Sequence, residues 1–167
     1  TSDDQVSIVA NPLIQEPARL KEIFTTGYFK DKSYYRPLVN LSFRQEYQTH
    51  GLNPYHYYLH NLFIHILNAF LVWALVAIVT ENATVGFWVA LLFVVHPIHA
   101  EAVSNVSGRA IILSASFVLL AAITFIKSQE RNNKILLGVS VISFLLGLLC
   151  KESAGVLPMV LLAYLGF

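Results

Sequence analysis

Beyond residue 58 the chain reads as a series of long uncharged runs, at 61–80, 82–100, 110–126, 135–150 and 153–167, separated by short polar breaks. A membrane-crossing helix needs roughly 17–25 largely apolar residues. The pattern therefore predicts spans at about 54–79, 84–96, 108–127, 134–150 and, in part, 153–167. Local signals fix their ends. Asn53-Pro54 supplies an N-cap and a first helical position, Pro97 stops the second span, and Lys134 and Lys151 can snorkel outward to lengthen the short fourth one. Tyr55, His56, Tyr57 and Tyr58 form an interfacial aromatic belt at the start of the first span. Ahead of the spans the pattern differs. Residues 1–36 are irregular, with prolines at 12 and 17 and a break at Gly27. From Pro37 a helical period begins, with Val39, Phe43 and Tyr47 on one stripe and Asn40, Arg44 and Gln48 on the opposite one. Pro37 suits the first turn and Gly51 the C-terminal cap, so an amphipathic helix at about 37–50 is expected, lying along the bilayer surface.

Composition turns this pattern into a class. The 167 residues are 56% hydrophobic and 13% charged, with a mean hydropathy of +0.59, whereas a soluble domain is about 25% charged. A soluble globular domain is excluded, and the expected fold is an all-α membrane protein, a multi-span helical bundle. Residues 1–58 carry six acids and six bases, which leaves nine charges for the other 109 residues. A net charge of +1 speaks against a nucleic-acid partner. One cysteine, Cys150, forbids an intrachain disulfide. The sequence starts at Thr1 without a methionine and stops at Phe167 inside an apolar run, so a fragment truncated at both ends is expected.

If each apolar run crosses once, residues 1–58, 96–109 and Lys151-Glu152 share one membrane face, while 80–83 and 127–134 lie opposite. Lysines and arginines near the span ends divide equally, so the positive-inside rule does not orient the chain. The candidate chemistry converges on the first face. Asp3-Asp4 is a carboxylate pair that could hold a cation or supply a general base. Arg36 stands where a helix begins, a place suited to a phosphate group. His96, His99 and Glu101, with Arg109 after them, cluster where a span ends. Lys151-Glu152 is an ionisable pair between apolar runs, where charge is costly unless it is used or paired. Each has a plainer reading: a solvated acidic pair, a lipid-phosphate anchor, hydrogen-bonded interfacial histidines, a polar turn. His56 and His60 have i, i+4 spacing but lack the HExxH glutamate, so no metal site is expected. His65, Asn61 and Asn68 read as hydrogen-bonding groups between helices. Two rival classes remain at this point: an ion- or proton-coupled transporter segment using the histidines and Lys151-Glu152, and a non-catalytic membrane anchor or assembly module.

The motifs carry a further likeness. Lys32-Ser33-Tyr34-Tyr35-Arg36-Pro37-Leu38 with Leu41-Ser42-Phe43-Arg44 resembles the "KSYRPL…LTFR" element of the transmembrane and tetratricopeptide-repeat (TMTC) proteins. Gly51-Leu52-Asn53-Pro54, Tyr57-Tyr58-Leu59-His60-Asn61 and His65-Ile66-Leu67-Asn68 continue it. His96-Pro97-Ile98-His99-Ala100-Glu101-Ala102-Val103 with Gly108-Arg109-Ala110 is similar to the family's "HPIHxEAV…GRAE" block, except that Ile111 stands where an acid is usual. Cys150-Lys151-Glu152 resembles a later "CKE" element. The resemblance implies a GT-C-type membrane glycosyltransferase that moves a sugar, mannose in eukaryotic relatives, from a polyprenyl or dolichyl phosphate to a protein Ser or Thr hydroxyl. It places residues 1–53 in the first outer loop, lumenal or periplasmic, ahead of the bundle at 54–167. It implies Asp3 and Asp4 as the catalytic pair. Arg36, His96, Lys151 and Arg109 are then donor-phosphate contacts, and His99, Glu101 and Glu152 support them. The partners would be the bilayer, the lipid-linked donor and a protein acceptor, with a divalent cation an option at the acidic pair. The compartment would be the endoplasmic reticulum in a eukaryote and the inner membrane in a bacterium. The tetratricopeptide repeats of the family are absent from the sequence.

Overall fold

The computed structural model describes residues 11–15, 20–25 and 34–166, and every described regular element is helical. Two one-turn helices, α1 (Pro12–Gln15) and α2 (Leu20–Ile23), precede α3 (Pro37–His50). Then come α4 (Pro54–Thr80), α5 (Ala83–Val95), the short α6 (Ala100–Ser104), α7 (Arg109–Glu130), α8 (Lys134–Cys150) and α9 (Leu157–Leu165). Their limits are set locally. Pro37 opens α3 and Gly51 caps it, its amide donating to Tyr47 O at 2.8 Å. Three asparagines act as N-caps: Asn53 accepts from Tyr55 N, Asn82 from Thr84 N and Val85 N, and Asn133 from Ile135 N and Leu136 N.

Polar contacts give the helix directions. Trp73 Nε1 donates to Ala83 O and His65 Nε2 meets Val94 O, so α4 and α5 run antiparallel. Ser114 Oγ donates to Gly147 O and Ser140 Oγ to Ala121 O, so α7 and α8 are antiparallel too. Asn68 Nδ2 donates to Ile112 O at 2.8 Å and Ser116 Oγ to Asn68 Oδ1 at 2.6 Å, while Asn61 pairs with Arg109 further up, so α4 and α7 run parallel. These contacts use small hydroxyl and amide side chains to join backbones in an apolar setting, where helices lack a hydrophobic drive toward one another. Close approach is built in as well. A Cβ on Gly86 would lie 2.7 Å from Trp73 O, so α5 sits against α4 only because that atom is missing.

The fold is an all-α membrane protein whose apolar helices differ in length. Two helical stretches, Pro54–Thr80 and Val106–Glu130, are each long and apolar enough to cross. The expected span at about 84–96 is not one of them. Pro97 cannot continue the ladder and holds His96 in extended backbone (φ −68°, ψ 124°), so α5 stops after 13 residues, about 20 Å of helix. The chain then turns by 51° into Pro97–Ser104, and only the bent pair together has the apolar length of a third crossing. Lys134–Cys150 and Glu152–Leu165 are shorter apolar helices.

The surface helix is also more embedded than its pattern suggests. Val39 and Phe43 of α3 join Ile14, Tyr57, Val106, Ala110 and Cys150 in one buried cluster, which fastens α3 across the ends of α4, α7 and α8. Its expected polar stripe does not face water throughout. Asn40 and Arg44 are buried under residues 11–15, with Arg44 Nη1 donating to Leu13 O at 3.3 Å and Asn11 Nδ2 to Asn40 Oδ1 at 3.5 Å. Gln48 remains exposed.

Candidate functional site

The candidate residues fall into three local groups. At the end of the bundle, Arg36 ends the approach to α3 and Glu152 follows the α8 terminus. Arg36 Nη2 donates to both Glu152 carboxylate oxygens, at 3.0 and 3.2 Å. The Tyr34 ring lies 4.7 Å from the Arg36 guanidinium carbon. Glu152 is the exposed partner, with 62% of its side chain accessible against 14% for Arg36. Lys151, half-buried, precedes it and caps α8 in extended backbone. Residues 116 positions apart are thus joined by one ion pair.

The second group is buried. Arg109, the first residue of α7, is wholly inaccessible. Its Nη1 pairs with Glu46 of α3, its Nε donates to Asn61 Oδ1 at 2.9 Å, and its Nη2 donates to Tyr57 O at 2.9 Å. The guanidinium also rests on the rings of Phe43, at 4.7 Å, and Tyr57, at 5.7 Å. With no exposed surface and these partners, the guanidinium, expected from sequence to contact the donor phosphate, ties α3, α4 and α7 together. Glu46 Oε2 also lies 3.5 Å from His60 Nδ1. Burial, the strongest influence on Glu46, pushes its carboxyl up, but His60 and Arg109 outweigh it and hold the group below the usual carboxylate value. A groove of about 460 Å³ opens beside this pair, lined in part by Gln45, Glu46, Thr49, His56, His60 and Phe63.

The turn that delivers Arg109 depends on its neighbour. A Cβ on Gly108 would lie 2.1 Å from Ala102 O, far inside contact distance and against backbone. Gly108→Ala is therefore expected to lower the melting temperature of the detergent-solubilised protein by several degrees, since overpacking a tight site costs about 1–3 kcal/mol. An unchanged melting curve would show that this turn tolerates the methyl group.

The third group sits at the bend. His96 Nδ1 accepts from Ile98 N at 3.2 Å and so caps the turn after α5. The His99 ring lies 5.4 Å from that of His65, 6.1 Å from His96 and 4.3 Å from Phe93. His65 stands eleven residues beyond Pro54, about 16 Å along α4. His96 and His99 are thus set deeper along the helices than the bundle end where Arg36 and Glu152 meet. Glu101 is exposed on α6. Asp3 and Asp4 lie outside the described residues. Among the described residues, no three or more His, Cys, Asp or Glu side chains are grouped to hold a metal ion.

Sequence reasoning passed over Glu46 and the pairing of His60, and it placed Tyr57 in the interfacial belt, where the structure buries the ring and its hydroxyl donates to Gly51 O. Glu46 did leave a signal. It lies seven residues after Val39 and three after Phe43, in phase with the apolar stripe, where a lone acid has to find a partner.

Fold and polar contacts together define a helical membrane protein in which the Arg36–Glu152 and Arg109–Glu46 pairs tie segments together at one end of the bundle. Comparison with known proteins makes the class specific. The chain is 32% identical over 160 residues to "Protein O-mannosyl-transferase TMTC3" of Homo sapiens, covering 90% of this chain and 17% of that protein. It is 35% identical over 140 residues to "Protein O-mannosyl-transferase TMTC1" of Homo sapiens, covering 78% of this chain and 16% of that protein. It is 31% identical over 145 residues to "Protein O-mannosyl-transferase F38B6.6" of Caenorhabditis elegans, covering 81% and 21%. The chain belongs to the TMTC family and spans about a fifth or less of the length of these relatives. No family profile matches it, and no solved structure matches it.

Proposed function

We propose that this chain is part of an inverting, GT-C-type membrane glycosyltransferase. The enzyme would move a sugar, mannose by likeness to its relatives, from a polyprenyl or dolichyl phosphate to a protein Ser or Thr hydroxyl. The relatives' names support transfer of a mannosyl group to protein. Within the chain, the observation that carries the reading is the meeting of Arg36 with Lys151-Glu152 at the bundle end, beside α3. A lipid-linked sugar presents its phosphate at head-group depth, and these cations stand where a surface helix meets the ends of spanning helices.

The chemistry runs as a single displacement. Asp3, with Asp4 beside it, takes the proton of the acceptor hydroxyl as that oxygen bonds to the anomeric carbon. The bond from that carbon to the phosphate oxygen breaks, and its electron pair leaves on the polyprenyl phosphate. One displacement inverts the anomeric centre. Polyprenyl phosphate is already a good leaving group, so cations that stabilise it matter more than an acid that protonates it. Arg36 and Lys151 take that role. His96 and His99, deeper along α4, serve the donor at greater depth, and Arg109 acts only by holding α3 in place. An apolar groove of about 430 Å³ between α4 and α5, lined by Ile66, Phe70, Trp73, Phe87, Leu91 and Val94 among others, has the chemistry of a lipid tail. The active face would be lumenal or periplasmic.

The test uses the full-length protein in vesicles with a polyprenyl phosphate sugar and a Ser/Thr-containing acceptor peptide. Donor-dependent transfer to a hydroxyl, with the product of inverted configuration, is the expected result. Retention of configuration removes the single displacement. Absence of transfer together with a proton or ion flux through the same vesicles favours the transporter reading, and absence of both favours an anchor.

A further inference from the structure

The partner that Arg36 holds is itself an anion. A carboxylate engaged through both oxygens offers a guanidinium nearly what a phosphate offers, two acceptor oxygens on one charged centre. From this contact we infer that Glu152 sets the affinity of the Arg36 site for phosphate by competing for the guanidinium, and must be displaced before a phosphate anion is bound. The inference rests on the reading of Arg36 as a phosphate contact and adds a specificity-determining role for Glu152.

Three observations support exchange over a fixed strap. First, the two partners differ in confinement: Arg36 is largely covered and lies over Tyr34, whereas most of the Glu152 side chain is accessible. Second, Glu152 begins a short 3-10 turn (Glu152–Val156) between two apolar helices, and it is an exposed residue of that turn. The buried member of that turn is Ala154. Third, the charges balance in favour of an incoming anion. Arg36 and Lys151 bring two positive charges to this end of the bundle against the single negative charge of Glu152. An ordinary carboxylate ligand gains little by replacing another carboxylate, while a phosphate brings more charge and more acceptor oxygens. Glu152 thereby selects phosphate over carboxylate-bearing lipids and peptides.

The test measures binding of a polyprenyl monophosphate, and in parallel of inorganic phosphate, to the full-length protein in nanodiscs. The proteins compared are wild type, Glu152→Gln and Arg36→Ala. An exposed ion pair of this kind is worth a factor of about two to five in an equilibrium constant, so Glu152→Gln should bind phosphate tighter by that factor. Arg36→Ala should bind it several-fold more weakly. Tightening for the lipid probe alone places the site at the membrane head-group level, and tightening for both probes assigns it to the phosphate group itself. A merely structural pair predicts something else: Glu152→Gln and Arg36→Ala would both lower the melting temperature, and neither would tighten binding. Weaker or unchanged binding by Glu152→Gln, with Arg36→Ala still impaired, overturns the competitor role but leaves Arg36 as a phosphate contact. Unchanged binding by Arg36→Ala overturns Arg36 itself.

Discussion

Arg109→Ala is expected to cost the bundle about 3–5 kcal/mol, a large part of the 5–15 kcal/mol by which a domain is ordinarily stable. The expectation follows from what stays behind. Glu46 is buried, and its carboxylate would lose the guanidinium that pairs with it, while Asn61 Oδ1 and the Tyr57 carbonyl would lose their donors. Each is costly to leave unsatisfied away from water. The seats on Phe43 and Tyr57 would also empty. Thermal unfolding of the full-length protein in detergent checks this, and a shift of only a degree or two would mean the pair contributes little. A double variant, Arg109→Met with Glu46→Gln, is the informative control. Removing both charges leaves no buried ion, so it should recover most of the loss even though two ties are gone.

The pH dependence has a definite sign. The Glu46 carboxyl lies below its ordinary value, so in the wild type its contribution is complete above about pH 4.3 and is lost as the pH falls through the lowered value. In Arg109→Ala the desolvated carboxylate keeps only His60 against burial, the largest influence, which favours the neutral acid. The deficit of the variant should therefore shrink as the pH drops toward 4, because protonation removes the buried charge that causes it. A deficit independent of pH would point to lost packing rather than lost charge.

What could be read from sequence follows from the range of each interaction. The start and end of α3 lie in Pro37 and Gly51, and the caps of α4, α5 and α8 in single asparagines two or three residues from the amides they accept from. Those are local: pattern finds Pro37, Gly51 and Asn53, and Asn82 and Asn133 act over the same short range. The helix-joining roles of Asn61 and Asn68 are legible for a related reason, since an amide inside an apolar run has only other helices to bond. Burial of Asn40 and Arg44 is not local. Helical phase shows that they share a stripe, and it takes residues 11–15, 29 and 31 positions away, to cover it. The same limit separates the arginines. Arg36 and Arg109 look alike as cations at helix starts, yet one is engaged by an exposed carboxylate and the other is sealed among aromatic rings. Pro97 is legible as a stop after 13 helical residues, whereas the 51° bend into Pro97–Ser104 is not written in the apolar run itself.

Asp3→Asn should have the largest effect on turnover. The substitution keeps the size and the acceptor oxygen of the side chain and removes its basicity, so it separates proton transfer from fit. Positioned general bases contribute about 10²–10⁴ in rate, and kcat for transfer from a polyprenyl phosphate sugar should fall by that range. The KM for donor should change little, because in the proposed mechanism Arg36 and Lys151, not the base, hold the phosphate. Asp4→Asn should fall less if Asp4 serves as the neighbour that orients the base or holds a cation, and added divalent metal should then distinguish these two roles. The pattern across the variants carries the argument: Asp3→Asn loses kcat, Arg36→Ala loses donor affinity, and Arg109→Ala loses stability before either. Were both aspartate variants to keep wild-type turnover, the base would lie elsewhere, and Glu101, exposed on α6, is the next carboxylate to change.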